Sequence, residues 1–196
     1  MKKRETTVRH KIIKCALRIF SKKGYFRTTV EDIARAAHIA KGTVYLYFND
    51  KESIYIAAIN EHLNNATALF NRIAVQPGSA TEKMNRISES FVNYLEKMKV
   101  SHPMFTFENI HLSSKVLKKL KQIITPRLTE MTKSLSRIIK QGIEQGEFRE
   151  VDPDVAAFYF LVTMRTVFLG NLIIPEADFG SEVVLQLFFE GLKQRR

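Results

Sequence analysis

Residues 28–54 read TTVEDIARAAHIAKGTVYLYFNDKESI, and the fold class turns on how that stretch divides. Thr29 with Asp32 three residues on is a helix-start pattern, and Glu31 and Asp32 suit the positive end of a helix. The stretch therefore predicts a short helix over VEDIARAA, a turn at HIAK and a second short helix over GTVYLYF. The pair ND then breaks the chain before a longer helix that starts near Lys51. Ile33, Ala34 and Ala37 share one face of the first short helix, and Ile39 plugs the turn. Val44 with Phe48 gives an i, i+4 inner face on the second.

Three aromatics, Tyr45, Tyr47 and Phe48, crowd four positions of that second helix. Phe48 belongs to the inner face, whereas Lys41, Gly42, Thr43, Tyr45 and Leu46 point away from it and Tyr47 lies at the edge. A tyrosine couples a ring that packs on sugar or a thymine methyl with a hydroxyl that reaches phosphate; backbone amides at a helix start also favour phosphate. Lys41 and Lys51 stand at the two ends as point charges for flanking phosphates. A preceding helix over residues 8–23 has Ile12, Ile13, Ala16, Leu17, Ile19 and Phe20 facing inward and Gly24 closing it. The result is the helix-turn-helix plan, in which the second helix of the pair enters the major groove.

The same stretch closely resembles the DNA-binding signature of the tetracycline-repressor (TetR) family: a threonine-led helix, a small-residue turn, a K-G-T-hydrophobic-Y start and a Y-F-x-x-K-E close. The resemblance is specific over about residues 8–56. Beyond them it covers helix count and the phrase GIEQGEFR, residues 142–149. It implies phosphate contacts from Thr29, Thr43, Tyr47 and Lys51, and groove contacts from Lys41, Gly42, Tyr45 and Leu46. Three positions depart from the family pattern. His38 stands where glycine is usual, at a turn position expected to need positive φ, which histidine tolerates better than most residues. Ala40 replaces a serine and forgoes a cap worth about 1 kcal/mol. Leu46 replaces a frequent histidine, so the operator is not expected to be that of the relatives.

Charge agrees with this reading. The formal net charge is +11; residues 1–50 hold 12 Lys/Arg and 4 Asp/Glu, the remainder 19 and 16. The basic excess falls on the first quarter of the chain, as a polyanion-binding segment requires. The single Cys15 excludes an internal disulfide, suits a reducing compartment and reads as a packing residue. The start, MKKRETTVRHKIIKC, lacks the uninterrupted apolar run of a signal peptide. The run 155–174 approaches membrane length, but Arg165 near its middle would cost about 2.5 to 3.5 kcal/mol on insertion. A buried helix of a cytoplasmic protein with no membrane contact is expected.

Apolar residues recur at three and four almost throughout, so the chain is predicted to be all-α: a three-helix head at residues 1–50, then a six-helix ligand-binding and dimerisation bundle over 51–196. QPGSA at 76–80 is the clearest loop, with Ser79 and Thr81 placed to cap the next helix. Pro103 opens a short helix through about Leu112, and residues 114–146 form one long helix interrupted by Pro126. The helix 154–174 is apolar nearly all round and must be covered on every side. A second subunit would cover one face and an internal cavity would border another. Val155, Val162, Val183, Val184, Leu187 and Phe188 are the expected homodimer face, and the family resemblance implies the same pairing of the last two helices about a two-fold axis. Tyr94, Met98, Met104, Phe107, His111, Met131, Tyr159 and Met164, with Arg127 and Arg165 as polar handles, are the expected wall of a pocket for a hydrophobic small-molecule inducer, with an acidic group for the arginines.

Five scattered histidines without metal-ligand spacing, and no phosphate-cradling glycine loop, argue against an enzyme, and no cofactor or metal is expected. The expected function is a ligand-responsive transcriptional regulator, a repressor bound to a palindromic double-stranded DNA operator. The alternative is a ligand- or partner-binding helical module without specific DNA binding.

Overall fold

The computed structural model describes residues 2–98, 113–174, 176 and 181–192, with backbone alone at 2–5, 92, 94–98, 165–173, 181 and 184. Eight helices occur among the described residues: α1 (Lys2–Arg27), α2 (Val30–Ala36), α3 (Lys41–Tyr45), α4 (Lys51–Ala74), α5 (Ala80–Met98), α6 (Ser114–Glu144), α7 (Pro153–Ile173) and α8 (Ser181–Leu192). The helix expected between Pro103 and Leu112 lies outside the described residues. Helix α1 runs past its expected end, but Gly24 breaks it with φ 74 and ψ 169, a conformation that favours glycine.

The chain forms two compact units, residues 1–65 with 95–125, and 66–94 with 126–196. The division falls inside α4 and at Pro126 of α6, not at residue 50 where the sequence pattern changes. The reason lies in α4, whose first half belongs to the head: Ile54, Tyr55, Ala58, Ile59 and Leu63 are buried in one core with Ile12, Ile13, Phe20, Ile33, Val44 and Phe48. Val116 and Leu120 of α6 complete that core. Fully burying the larger of these side chains is worth roughly 1.5–3 kcal/mol each, so the first half of α4 is an integral part of the head.

The second unit has its own core, built from Phe70, Met84, Ile87, Met131, Leu135, Ile138, Phe148, Phe160 and Met164 among others. The phrase GIEQGEFR acts here as a structural device. Gly146, with φ 71, turns the chain just after α6, and Glu147 comes back so that its carboxylate accepts from the Ala80 amide (2.9 Å), the Thr81 amide (3.0 Å) and Thr81 Oγ1 (2.8 Å). It thereby caps α5, while Ser79 and Glu82 form a reciprocal capping pair of the kind expected. Phe148 then folds over Gly142, where a Cβ would stand 2.3 Å from the ring, so only glycine fits. Lys83 is buried, and its ammonium donates to Ala74 O (3.2 Å), closing the C-terminus of α4, and to Gln141 Oε1 (2.7 Å). Asp152 Oδ1 accepts from the amides of Asp154 and Val155 and starts α7. Among the described residues no helix is long and apolar enough to cross a membrane.

Two groups make stability depend on pH. Desolvation pushes His62 of α4 down from 6.5 to about 4, so the folded chain holds it neutral. The unfolded chain protonates below its ordinary value; the folded state therefore binds fewer protons between about 6.5 and 4, and stability falls as pH drops through that window. For Glu147, burial raises the carboxyl but the hydrogen bonds from Thr81, Ala80 and Ser79 outweigh it, leaving it below its ordinary 4.5. That contribution is present above 4.5 and is lost as pH falls through the lowered value. Thermal melts from pH 7.5 to 4 should show a progressive loss, on the order of 3 kcal/mol from the histidine when complete. His62→Gln should flatten the curve between 6.5 and 4.5, and an unaltered curve in that variant would contradict the assignment.

Candidate nucleic-acid interface

The α2–turn–α3 segment is fixed by local hydrogen bonds that its sequence dictates. Thr29 Oγ1 accepts from the Asp32 amide and the Asp32 carboxylate accepts from the Thr29 amide, both at 3.1 Å, which is the expected capping box. Lys23 Nζ stands 3.0 Å from the same carboxylate. Its hydrogen bond, followed by those of Thr29, holds Asp32 down to about 2. At the other end of α2, His38 takes φ 50, as the turn was expected to require. The His38 amide donates to Arg35 O and the Ile39 amide to Ala34 O, a Schellman closure that seats Ile39 against the core.

Helix α3 is short and lightly capped. Ala40 precedes it with extended backbone and no side-chain cap, the consequence expected of this departure. Val44 is fully buried and Phe48 is 5 % exposed, with the Arg9 guanidinium 5.2 Å from the Phe48 ring centre. On the opposite side Tyr45 is 47 % and Leu46 82 % exposed. Lys41 and Gly42 are exposed as well, Thr43 is half-buried, and Tyr47 packs at the margin of the core. The outward set predicted from the helical wheel is thus brought together on one surface, with Thr29 exposed at the start of α2.

Two lysines assigned alike from sequence differ in setting. Lys41 Nζ lies 3.7 Å from Glu31 Oε2 in an exposed pair that leaves it available. Lys51 Nζ donates to Tyr25 O (3.0 Å) and more weakly to Phe26 O (3.4 Å), and sits 4.4 Å from the Tyr25 ring centre. Desolvation lowers its pKa. It ties the start of α4 to the end of α1, a role that sequence spacing alone does not show. Asp50 and Ser53 bond each other reciprocally at the start of α4; the D-x-x-S spacing was the available signal for that cap.

The expected pocket residues do not converge among the described side chains. Met131 and Met164 are buried in the core of the second unit. Arg127 is 37 % exposed and pairs with Glu130 at 3.4 Å, so it is neither buried nor awaiting an anion. Tyr159 corrects the expectation: it is 61 % exposed and stacks on Phe188, ring centres 6.0 Å apart, on the outer face of α7 and α8. The helical period turns it toward Val155 and away from Met164. The backbones of Tyr94, Met98 and Arg165 lie in helices, whereas their side chains, and Met104, Phe107 and His111 entirely, lie outside the described residues. A cleft of about 620 Å³ is bordered by Asn71, Glu130, Lys133, Arg137 and Asp154, and none of the predicted pocket side chains lines it.

On the expected dimer face, Val155 is 65 %, Val162 42 %, Val183 45 % and Leu187 68 % exposed, joined by Phe158 at 60 %. Phe188 departs from that set: it is 5 % exposed, enclosed by Tyr159, Phe160 and Phe189. The Val184 side chain lies outside the described residues. A groove of about 430 Å³ between the start of α7 and the end of α8 is lined by Val155, Tyr159, Leu187 and Phe188 with their neighbours.

Comparison with known proteins agrees with this geometry. Residues 12–58 match the family model for bacterial regulatory proteins of the tetR family, and residues 77–169 match a tetracyclin repressor-like C-terminal domain. The chain is 28 % identical over 139 residues to the fatty acid metabolism regulator protein of Bacillus subtilis, covering 71 % of this chain and 70 % of that one. It is 41 % identical over 61 residues, 30 % of this chain and 33 % of the other, to IcaR of Staphylococcus aureus, a negative transcriptional regulator of the biofilm operon icaADBC. The fold is that of the transcriptional regulator FadR from Bacillus subtilis in complex with stearoyl-CoA: TM-score 0.73, 24 % identity, 93 % of this chain and 98 % of that chain covered. A helix-turn-helix head with these outward residues, joined to a matching C-terminal region, identifies the chain as a member of the TetR family of DNA-binding transcriptional regulators.

Proposed function

We propose that the protein is a homodimeric repressor that reads a roughly palindromic operator through α3 and leaves it when a largely apolar ligand binds the helical body. The observation that carries the reading is the division of α3 and the turn after it into Val44 and Phe48, both buried, and Tyr45 and Leu46, both exposed. Gly42 strengthens it. A Cβ there would meet nothing within 4 Å, so the fold has no use for glycine at a helical position where it costs roughly 0.5–1 kcal/mol against alanine. A surface that comes close to the backbone from outside, such as a groove wall, accounts for it. In this reading Lys41, Gly42, Tyr45 and Leu46 face the bases, and Thr29, Thr43, Tyr47 and the remaining proton of Lys51 face phosphates.

The exposed apolar residues of α7 and α8 suit a two-fold partner that covers the same residues on both chains. For the ligand, the support comes from the relatives: one is named for fatty acid metabolism, and a structural neighbour holds stearoyl-CoA. A long-chain acyl-CoA is therefore the ligand class we favour. Arg127 is not assigned to it, because its guanidinium is partly exposed beside Glu130 and not buried in want of an anion. Tyr94, Met131, Met164 and Arg165, all of the second unit, remain the proposed lining. A ligand that prefers one arrangement of the two heads weakens DNA binding by its differential affinity, and DNA weakens ligand binding by the same factor.

With an operator selected from a random duplex pool, Gly42→Ala should leave the melting temperature unchanged or slightly raised and weaken binding at least tenfold. Tyr45→Ala should cost about 1–3 kcal/mol of binding. A pool from which no sequence is enriched would instead favour a helical module without specific DNA binding, and wild-type affinity in both variants would overturn α3 as the reading helix. Leu187→Asp should sediment as a monomer and lose operator affinity. Stearoyl-CoA added to the wild-type complex at fixed salt should lower DNA affinity; equal affinities with and without it would overturn the acyl-CoA assignment.

A further inference from the structure

The formal charge follows the compact units far more sharply than it follows sequence order. The unit that contains α2 and α3 has 19 Lys/Arg and 8 Asp/Glu, whereas the other unit has 12 of each, so the whole excess of +11 belongs to the head unit. Part of it comes from the first half of α6, a segment far from the helix-turn-helix in sequence. Lys115, Lys118, Lys119 and Lys121 are all exposed there, and no acidic residue occurs from Ser113 to Thr129. None of the four forms an ion pair among the described residues.

That arrangement is unfavourable by itself. Lys115 with Lys118 and Lys119 sets like charges at i, i+3 and i, i+4, which repel. They stand in the opening turns of α6, where no acid offsets the positive helix end and cations are disfavoured. The same turns are firmly mounted, because Val116 and Leu120 are 1 % and 4 % exposed in the core that also buries Val44 of α3 and Phe48 just after it. A fixed, uncompensated cationic helix face on the unit that reads DNA fits a polyanionic backbone.

We propose that the lysine face of α6 is a second phosphate contact of the head, gripping duplex DNA outside the bases that α3 reads. The proposal rests on α3 as the DNA-reading helix. The lysines supply charge without reading sequence, so they add affinity and salt dependence and leave base preference to α3.

The test compares wild type with the fourfold variant Lys115→Gln, Lys118→Gln, Lys119→Gln, Lys121→Gln. A fourfold Lys→Arg variant at the same positions and a Lys133→Gln, Lys140→Gln control from the other unit complete the set. Binding to a mixed-sequence duplex of about 40 base pairs is measured across salt concentrations. The glutamine variant should melt no lower than wild type, and its slope of log K against log salt should be shallower by about 0.9 for each phosphate it no longer neutralises, about 2–4 in all. The arginine variant should restore the slope and the control should keep it. A glutamine variant with the wild-type slope, or a control that loses as much, overturns the proposal. If wild type shows the steep slope but no preference among sequences in a random pool, the reading of α3 fails while the lysine contact stands.

Discussion

Val44 and Phe48 are the two side chains by which α3 is held to the head core, and both are almost wholly buried. The helix itself is only five residues long and has no side-chain cap, too short to persist without tertiary support. Everything in the first unit is arranged around that anchorage. Helices α1, α2 and the first half of α4 share the core in which the two residues are buried, and the Schellman closure at His38 sets the direction in which α3 leaves the turn. Because the anchor uses one face alone, the other can be given to residues that contribute nothing to packing. Tyr45 and Leu46 are bare for that reason, and Gly42 is glycine at a place where the chain leaves room for a side chain.

Much of this was legible in the sequence because it depends on neighbours in the chain. The Thr29–Asp32 capping box, the positive φ at His38, the uncapped start at Ala40 and the inward pair Val44 and Phe48 are all encoded within four residues of where they act. What escaped the sequence depends on distant partners. Lys51 reads as a phosphate ligand by position, yet its ammonium is bonded to the carbonyls of Tyr25 and Phe26 across the core. GIEQGEFR reads as a helix ending, yet its purpose is seen only when Glu147 is found capping α5 and Phe148 covering Gly142. Tyr159 is assigned to the wrong side of α7, because a helix apolar on all sides gives no periodic signal to say which side meets the chain's own core.

Charge shows the same limit in another form. Counted along the sequence, the basic excess stops near residue 50; counted within the compact unit, it includes the lysines of α6. Electrostatics acts through space, so the fold decides which charges belong to one surface. In the proposed reading the head combines a small, sequence-reading patch with a larger field that any duplex would feel. The second unit, electrically balanced and apolar along α7 and α8, is suited to association and ligand exchange.

The central claim is that the outward face presented by α3 chooses bases, and Leu46 tests it most directly, being 82 % exposed and standing where the family resemblance implies a frequent histidine. Duplexes selected from a random pool by wild type and by Leu46→His, sequenced and compared, give the answer even while the natural operator is unidentified. The two proteins should melt alike and keep the same half-site spacing, while the preferred base changes at one or two positions in each half-site. Identical base preferences in both pools would contradict the account.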